Sequence, residues 1–351
     1  MEKLNKLYNV TCGTDDKYAQ HCLAMLCSLF ESNKNKKIVV HILINKLSDS
    51  YKVDLNRLAN SYGNQIVFHV VDDAPFEGVQ FKSKRPLTKA AYYRLKLPSI
   101  LSDIHTVLYL DCDMIILGDI DELFDIDLTG YALAACRDSM PYTNLHRRQL
   151  NHPVGTKTFC SGIMYINLDY WRSVNSEPVC LEFARKKRNP VYLHDQDVFN
   201  FVFKNQWFML PPKWNVSPNA GVMIDSDYCD FDYSDSETHP CVYHYFDKIK
   251  PWQDRFCFKK KLYLKYLKLS GCSNPYIEPK SFAEKIEAYS HALSVIYSFK
   301  IESVLPLSVK ILIHDLKWLI QFPIYLVKVF FFPKRDRWKQ IDFLKNNRLC
   351  R

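Results

Sequence analysis

The sequence predicts an α/β protein built on a mostly parallel sheet with helices on both faces. Three observations carry that expectation. Short apolar or β-branched runs alternate with helix-length stretches along the chain. Acidic residues follow several of these runs, where the carboxyl ends of parallel strands deliver side chains to a site. The apolar share, 48% of 351 residues, is ordinary for a chain that buries a sizeable core.

Taken in order, Leu7–Cys12 reads as the first strand and leads into Thr14-Asp15-Asp16. Ala19–Glu31 follows as a helix, Ile38–Ile44 as a strand, Ser50–Tyr62 as a helix and Ile66–Val71 as a strand. Ala90–Leu97 reads as another helix, ahead of the buried strand Val107–Leu110. Ala132–Cys136, Gly162–Asn167 and Val242–Tyr245 complete the strand-like runs, and Asp138 follows the first of these three.

Asp111-Cys112-Asp113 closes the run Val107–Leu110. Side chains two apart on a strand point the same way, so the two carboxylates repel each other unless a cation lies between them. A hard divalent ion that also grips phosphate oxygens suits that position. The alternative is a surface turn with two solvated aspartates.

Other features narrow the class. With 9 glycines and no glycine-rich phosphate cradle, the chain lacks the usual nucleotide-binding loops. Cys12, Cys112, Cys136, Cys160 and Cys241 lie in or beside strand-like runs and Cys22 and Cys27 in an apolar helical stretch, and the 12 cysteines form no C-x-x-C pair. No secretory signal is recognisable, so we expect reduced, buried cysteines in a cytoplasmic protein. The segment Pro211–Ser236 carries Asp225, Asp227, Asp230, Asp232 and Asp235. Their spacing does not fit a calcium-binding EF-hand and reads as a solvated acidic loop.

Charge divides the chain. Residues 1–247 carry 26 Lys and Arg against 30 Asp and Glu, whereas residues 248–351 carry 21 against 8. Within the basic part, Ile311–Phe332 is apolar and aromatic, but its longest uncharged run, Trp318–Val327, is too short to span a bilayer, which needs roughly 20 residues. Lys334, Arg335, Arg337 and Lys339 follow. That pattern describes a helix lying in the interface of an anionic membrane. A helix packed on the body is the plainer reading. No nucleic-acid motif accompanies the basic residues, and nucleic acid is not expected as a partner.

Six motifs then stand in order: DDKY at Asp15–Tyr18, AYYRLKLP at Ala91–Pro98, LYLDCDMI at Leu108–Ile115, FCSGIMYINL at Phe159–Leu168, HDQDVFN at His194–Asn200 and HYFDKIKPW at His244–Trp252. Together they resemble glycosyltransferase family 8, the retaining enzymes that include bacterial lipopolysaccharide galactosyl- and glucosyltransferases. The resemblance implies a GT-A type, Rossmann-like catalytic domain over residues 1–255, with residues 256–351 as a basic, aromatic-rich helical tail. It implies that Asp111, Asp113 and His244 ligate Mn²⁺, with Mg²⁺ as a substitute, and mixed carboxylate and imidazole ligation suits Mn²⁺ better than calcium. Lys250 would face the donor diphosphate, Asp15 the uracil, and Tyr18 would stack on that base. Arg94 and Asp195 would bracket the donor sugar, with Gln196 on its reacting face and Asp138 and Ser161 completing the pocket. Cys112 counts among the donor contacts through its place in the metal motif.

Cys160, Asp247 and Lys17 replace the Asn, Gly and Asn usual in the family, which leaves the donor sugar open between galactose and glucose. The implied reaction moves a hexose from a UDP-sugar to a lipopolysaccharide or lipooligosaccharide acceptor by front-side attack, with Gln196 and Asp195 at the reacting carbon. The protein would sit on the inner face of the cytoplasmic membrane through its tail. Two alternatives stand beside this reading: a protein or capsular acceptor, and a non-catalytic nucleotide-sugar-binding protein on a membrane.

Overall fold

The computed structural model describes residues 6–79, 89–138, 150–153, 156–186, 195–218, 236, 238–246, 249–253 and 257–276. The acidic series Asp225–Asp235, the departures at Asp247, and the apolar tail segment Ile311–Phe332 lie outside the described residues.

In chain order the strands are β1 Leu7–Gly13, β2 Lys37–Ile44, β3 Gln65–Val70, β4 Thr106–Leu110, β5 Met114–Ile116, β6 Leu133–Arg137, β7 Phe159–Asn167, β8 Trp207–Met209 and β9 Val242–His244. The α-helices are α1 Ala19–Ser32, α2 Asp49–Ser61, α3 Leu97–Ile100, α4 Asp121–Phe124, α5 Leu168–Ser173, α6 Ser176–Lys186, α7 Asp195–Val202 and α8 Lys260–Leu269.

Seven strands form one sheet in the order β3-β2-β1-β4-β7-β6-β8. β1, β2, β3 and β4 run parallel, and β6 runs parallel to β8. β7 is antiparallel to both of its neighbours, so the sheet is mixed. Its eight consecutive buried residues resemble a strand covered on both faces, a pattern that does not reveal strand direction. The reversal has a functional result. The ends of β1, β4 and β6 and the beginning of β7 all meet one edge of the sheet. That edge holds Asp15, Asp111, Asp138 and Ser161.

Alternation along β4 sends Leu108 and Leu110 into one apolar cluster and Val107 and Tyr109 into the other. α1 is buried from Ala19 to Phe30, because it is apolar around its whole circumference. One side lies on the sheet and another meets α8, where His21 Nδ1 lies 2.7 Å from the Tyr263 hydroxyl. Beyond α8, Gln20 and Tyr276 exchange two 2.7 Å hydrogen bonds, and Ser273 N donates to Asp54 of α2 at 2.9 Å. The first residues after position 256 therefore pack on the body.

Two expected elements differ. Lys89–Lys96 is a 3₁₀ segment rather than an α-helix, followed by the one-turn α3. Pro98 has no N–H to donate back, so an α-helical ladder cannot run on through Leu97. The expected strand Val242–Tyr245 forms as Val242–His244. It pairs with β5 in a separate two-stranded ribbon, Met114 opposite His244, and not in the main sheet. Ten cysteines are described; none forms a disulfide with another described cysteine, and nine are buried.

Candidate active site

The ribbon places His244 beside the two aspartates. β5 begins immediately after Asp113, and the Tyr245 N–H donates to the Asp113 carbonyl at 2.9 Å. Asp111 N donates to Gly162 O at 2.8 Å, which fixes the other end of the tripeptide to β7. Ligand atoms of Asp111, Asp113 and His244 lie within 4.8 Å of one another. His244 Nε2 is 3.2 Å from Asp113 Oδ1 and 3.8 Å from Asp111 Oδ2.

Two residues outside the expected set shape this cluster. Asn215 Oδ1 accepts from His244 Nδ1 at 2.8 Å, which turns Nε2 toward the carboxylates, as outer-shell partners of metal-ligating histidines do. Gly162 leaves the space that the imidazole fills. A Cβ there would lie 2.3 Å from His244 Cε1 and 2.9 Å from Asp111 Oδ2. Gly162 is in the sequence motif, but its role is visible only once β7 lies beside β9. Asn215 sits in an unremarkable loop, and no local pattern signals it.

Charge is balanced closely. Lys250 Nζ donates to Asp113 Oδ2 at 2.7 Å and to the Tyr245 carbonyl. Burial opposes the Asp113 charge, but Lys250 and His244 outweigh it and hold the carboxyl far below its ordinary range. Burial likewise opposes the His244 charge, and Asp113 reverses this by its charge and hydrogen bond, lifting the imidazole to about 10. Asp111 is raised by burial, with Arg94 pulling the other way and Asp113 adding to the rise. Tyr109 donates to Asp111 Oδ1 at 2.9 Å.

Arg94 joins this cluster to a second one. It is 4% exposed, lies over the Tyr109 ring, donates to Ser161 O at 2.6 Å and stands 3.4 Å from Asp111 Oδ1. Its other terminal nitrogen makes a close ion pair with Asp195 in the first turn of α7. Burial raises the Asp195 carboxyl to about 6 against the opposing pull of Arg94. Next to it, Gln196 is held at both ends of its amide. Ser161 N donates to Oε1 at 3.1 Å, and Nε2 donates to Asp138 Oδ2 at 2.8 Å. Asn200, one turn on, exchanges two 2.9 Å bonds with the backbone of Phe159 and pins α7 to β7.

The expected site residues thus fall into three groups. Asp111, Asp113, His244 and Lys250 form the charged end. Arg94, Asp195, Gln196, Ser161 and Asp138 form the second cluster. Asp15 Oδ1 accepts from the N–H groups of Lys17 and Tyr18 at 3.0 Å, and the Tyr18 ring meets Trp252 edge-on at 6.0 Å. Cys112 departs from the set. Its thiol points into the core and donates to Gly13 O at 3.3 Å, so a donor contact there is left to its backbone.

Comparison with known proteins places the chain as a whole. The model of glycosyl transferase family 8 matches residues 9–255. The chain belongs to this family. It is 28% identical over 289 residues to general stress protein A of Bacillus subtilis, covering 79% of this chain and 99% of that protein. It is 25% identical over 296 residues to lipopolysaccharide 1,2-glucosyltransferase of Escherichia coli, covering 82% and 86%. The fold is shared with the solved galactosyltransferase LgtC in complex with donor and acceptor sugar analogues. That match has a TM-score of 0.67 at 24% identity and covers 74% of this chain and 95% of LgtC. The protein is a glycosyltransferase of GT-A-like fold, which disfavours the non-catalytic alternative.

The donor set fits a divalent metal. Its atoms are hard oxygens and one borderline nitrogen, and the outer partners Asn215 and Tyr109 aim them.

Proposed function

We propose that this family 8 enzyme transfers galactose or glucose from a UDP-sugar, with retention, to a lipopolysaccharide or lipooligosaccharide acceptor. The observation that carries the proposal is the convergence of Asp111, Asp113 and His244 at one end of a site whose other end is the doubly anchored amide of Gln196.

A bound Mn²⁺ would act as a Lewis acid on the departing diphosphate, an effect worth several kcal/mol. Asp111 and Asp113 would hold it through oxygen and His244 through Nε2. Lys250 would bring a positive charge to the same diphosphate, exchanging its bond to Asp113 for one to phosphate. Arg94 and Asp195 would border the sugar, and Asp15 would meet the base.

The arrangement favours front-side attack. A double displacement needs a carboxylate free to reach the sugar carbon, as in retaining glycosidases. Asp195 is engaged by Arg94, and Gln196 is an amide, a poor nucleophile already bonded at both ends. The acceptor hydroxyl would then give its proton to an oxygen of the departing phosphate, on the face from which UDP leaves. Gln196 would order that face.

A role at an anionic membrane rests on the basic, aromatic sequence of the tail, and α8 packs on the body with a solvated lysine face. Lys261, Lys265 and Lys268 are exposed, while Tyr263, Tyr266 and Leu267 are buried. Among the described residues no helix is long and apolar enough to cross a membrane. Deleting residues 296–351 should spare transfer to a soluble oligosaccharide and reduce sedimentation with anionic liposomes. Unchanged sedimentation would end the tail hypothesis.

The deciding experiment measures UDP release from a panel of UDP-sugars by the full chain, with and without Mn²⁺. Metal-dependent turnover of one sugar, lost in Asp113→Ala, is expected. Failure to bind UDP at all would overturn the proposal.

A further inference from the structure

Cys112 shares its core environment with two other thiols. Cys12 lies near the end of β1, next to β4, and Cys22 lies in the first half of α1, which packs over that edge. The Sγ atoms of the three cysteines lie within 4.8 Å of one another, and those of Cys12 and Cys22 are 3.6 Å apart. Cys12 and Cys22 are fully buried and Cys112 is 6% exposed. All three belong to the same apolar cluster.

We propose that Cys12, Cys22 and Cys112 form a binding site for a trivalent thiophilic ion of the arsenite class, held by three sulfurs. Softness is the first argument. An all-sulfur set selects soft ions and rejects the hard cations that suit the neighbouring Asp111, Asp113 and His244. Geometry is the second. With metal–sulfur bonds of about 2.3 Å, three sulfurs stand about 3.3 Å apart around a right-angled pyramid and about 4 Å apart around a planar centre. The 3.6 Å pair falls in that interval. Zinc in structural sites takes four ligands, and the described residues supply three here.

Charge is the third argument. Three thiolates on a trivalent ion give a neutral complex. A monovalent or divalent ion would leave negative charge in an apolar core, next in sequence to two carboxylates, at high cost. Arsenous acid is itself uncharged and can enter the core as a neutral molecule. Three As–O bonds and three S–H bonds break, three As–S bonds form, and three waters leave, with no change of oxidation state. Cys112 then gives up its hydrogen bond to Gly13 O, and the backbone between Asp111 and Asp113 follows it. Binding would therefore suppress sugar transfer, a consequence that rests on the proposed function, whereas the binding itself does not.

The test uses the full-length, reduced protein and sodium arsenite alone. After desalting, arsenic is counted by mass spectrometry and its first shell is read by X-ray absorption. One arsenic per chain with three sulfur neighbours is expected in the wild type and in Cys180→Ser, whose buried thiol lies on α6 outside the cluster. Loading should weaken roughly tenfold or more, at least 1.4 kcal/mol, in Cys22→Ser. Cys12→Ser serves if that variant does not fold. No retained arsenic, oxygen in the first shell, or equal loading of the variants would overturn the site. Arsenic bound at three sulfurs in a protein whose arsenic-free form binds no UDP would instead sink the proposed transfer from a UDP-sugar and leave the thiol site standing.

Discussion

The two ends of the site are built differently. At the charged end, Asp111, Asp113, His244 and Lys250 come from two separate stretches of chain and balance one another as ions. At the other end, Gln196 is neutral and both ends of its amide are fixed by partners on β7 and after β6. Ions can exchange partners when a substrate brings its own charge. An amide held at both ends stays where it is and presents the same dipole before and after reaction. We read the first end as the part that responds to the donor and the second as the part that stays preorganised.

Arg94 touches both ends through charged partners, Asp111 and Asp195, and breaking it tests the comparison most severely. Arg94→Met would leave Asp195 buried without its cation, and losing one partner of a buried pair costs about 3–5 kcal/mol. We expect that loss in denaturant unfolding, together with disorder at both ends. Full stability would show that the two ends are independent.

Gln196→Ala removes the amide without touching a metal ligand. Turnover should fall about 100- to 1,000-fold, by analogy with loss of one preorganised dipole, while Mn²⁺ affinity stays unchanged. A parallel loss of metal affinity would mean that the amide end is not separate.

Asn215→Leu acts on the charged end alone. It removes the acceptor that turns His244, and Mn²⁺ affinity should drop about 10- to 100-fold by calorimetry. Donor-sugar preference should not change.

Acidity gives the mildest test. Asp113 holds His244 protonated up to about pH 10, so metal must displace a proton from Nε2. Affinity should rise about tenfold for each unit of pH between 7 and 9, with one proton released per metal bound. The sign is opposite for the His244–Asp113 pair itself. Its contribution to folding is complete below the ordinary histidine pKa and is lost as pH rises through about 10. A pH-independent metal affinity would show that His244 is not a ligand.

Much of this architecture is legible from sequence, for stated physical reasons. The runs at β1, β2, β3 and β4 are apolar or β-branched and stand between helix-length or turn-forming stretches, and the D-x-D tripeptide is expected at the end of one of them, although it lies in the turn after β4 rather than on the strand. The direction of β7 is not legible, because a strand buried on both faces has the same pattern whichever way it runs. β5 and β8 are three residues each and too short to carry a period, and nothing in the run Val242–Tyr245 tells that β9 pairs with β5 outside the main sheet. Cys112 lies past the end of β4, in the turn before β5, so strand alternation does not fix where its thiol points. Asn215 and the missing Cβ of Gly162 acquire meaning only through neighbours remote in sequence.

That remoteness has a consequence for synthesis. The partners Asp113 and Lys250 are 137 residues apart, and β7, in the middle of the sheet, must arrive before β6 can join β4 through it. At about 5–20 residues per second, a ribosome needs roughly 7–30 s to make that interval. During it, the nascent chain displays two adjacent carboxylates and an unpaired edge of β4. The newborn enzyme therefore passes through a period in which its first strands are made but its catalytic centre cannot yet exist.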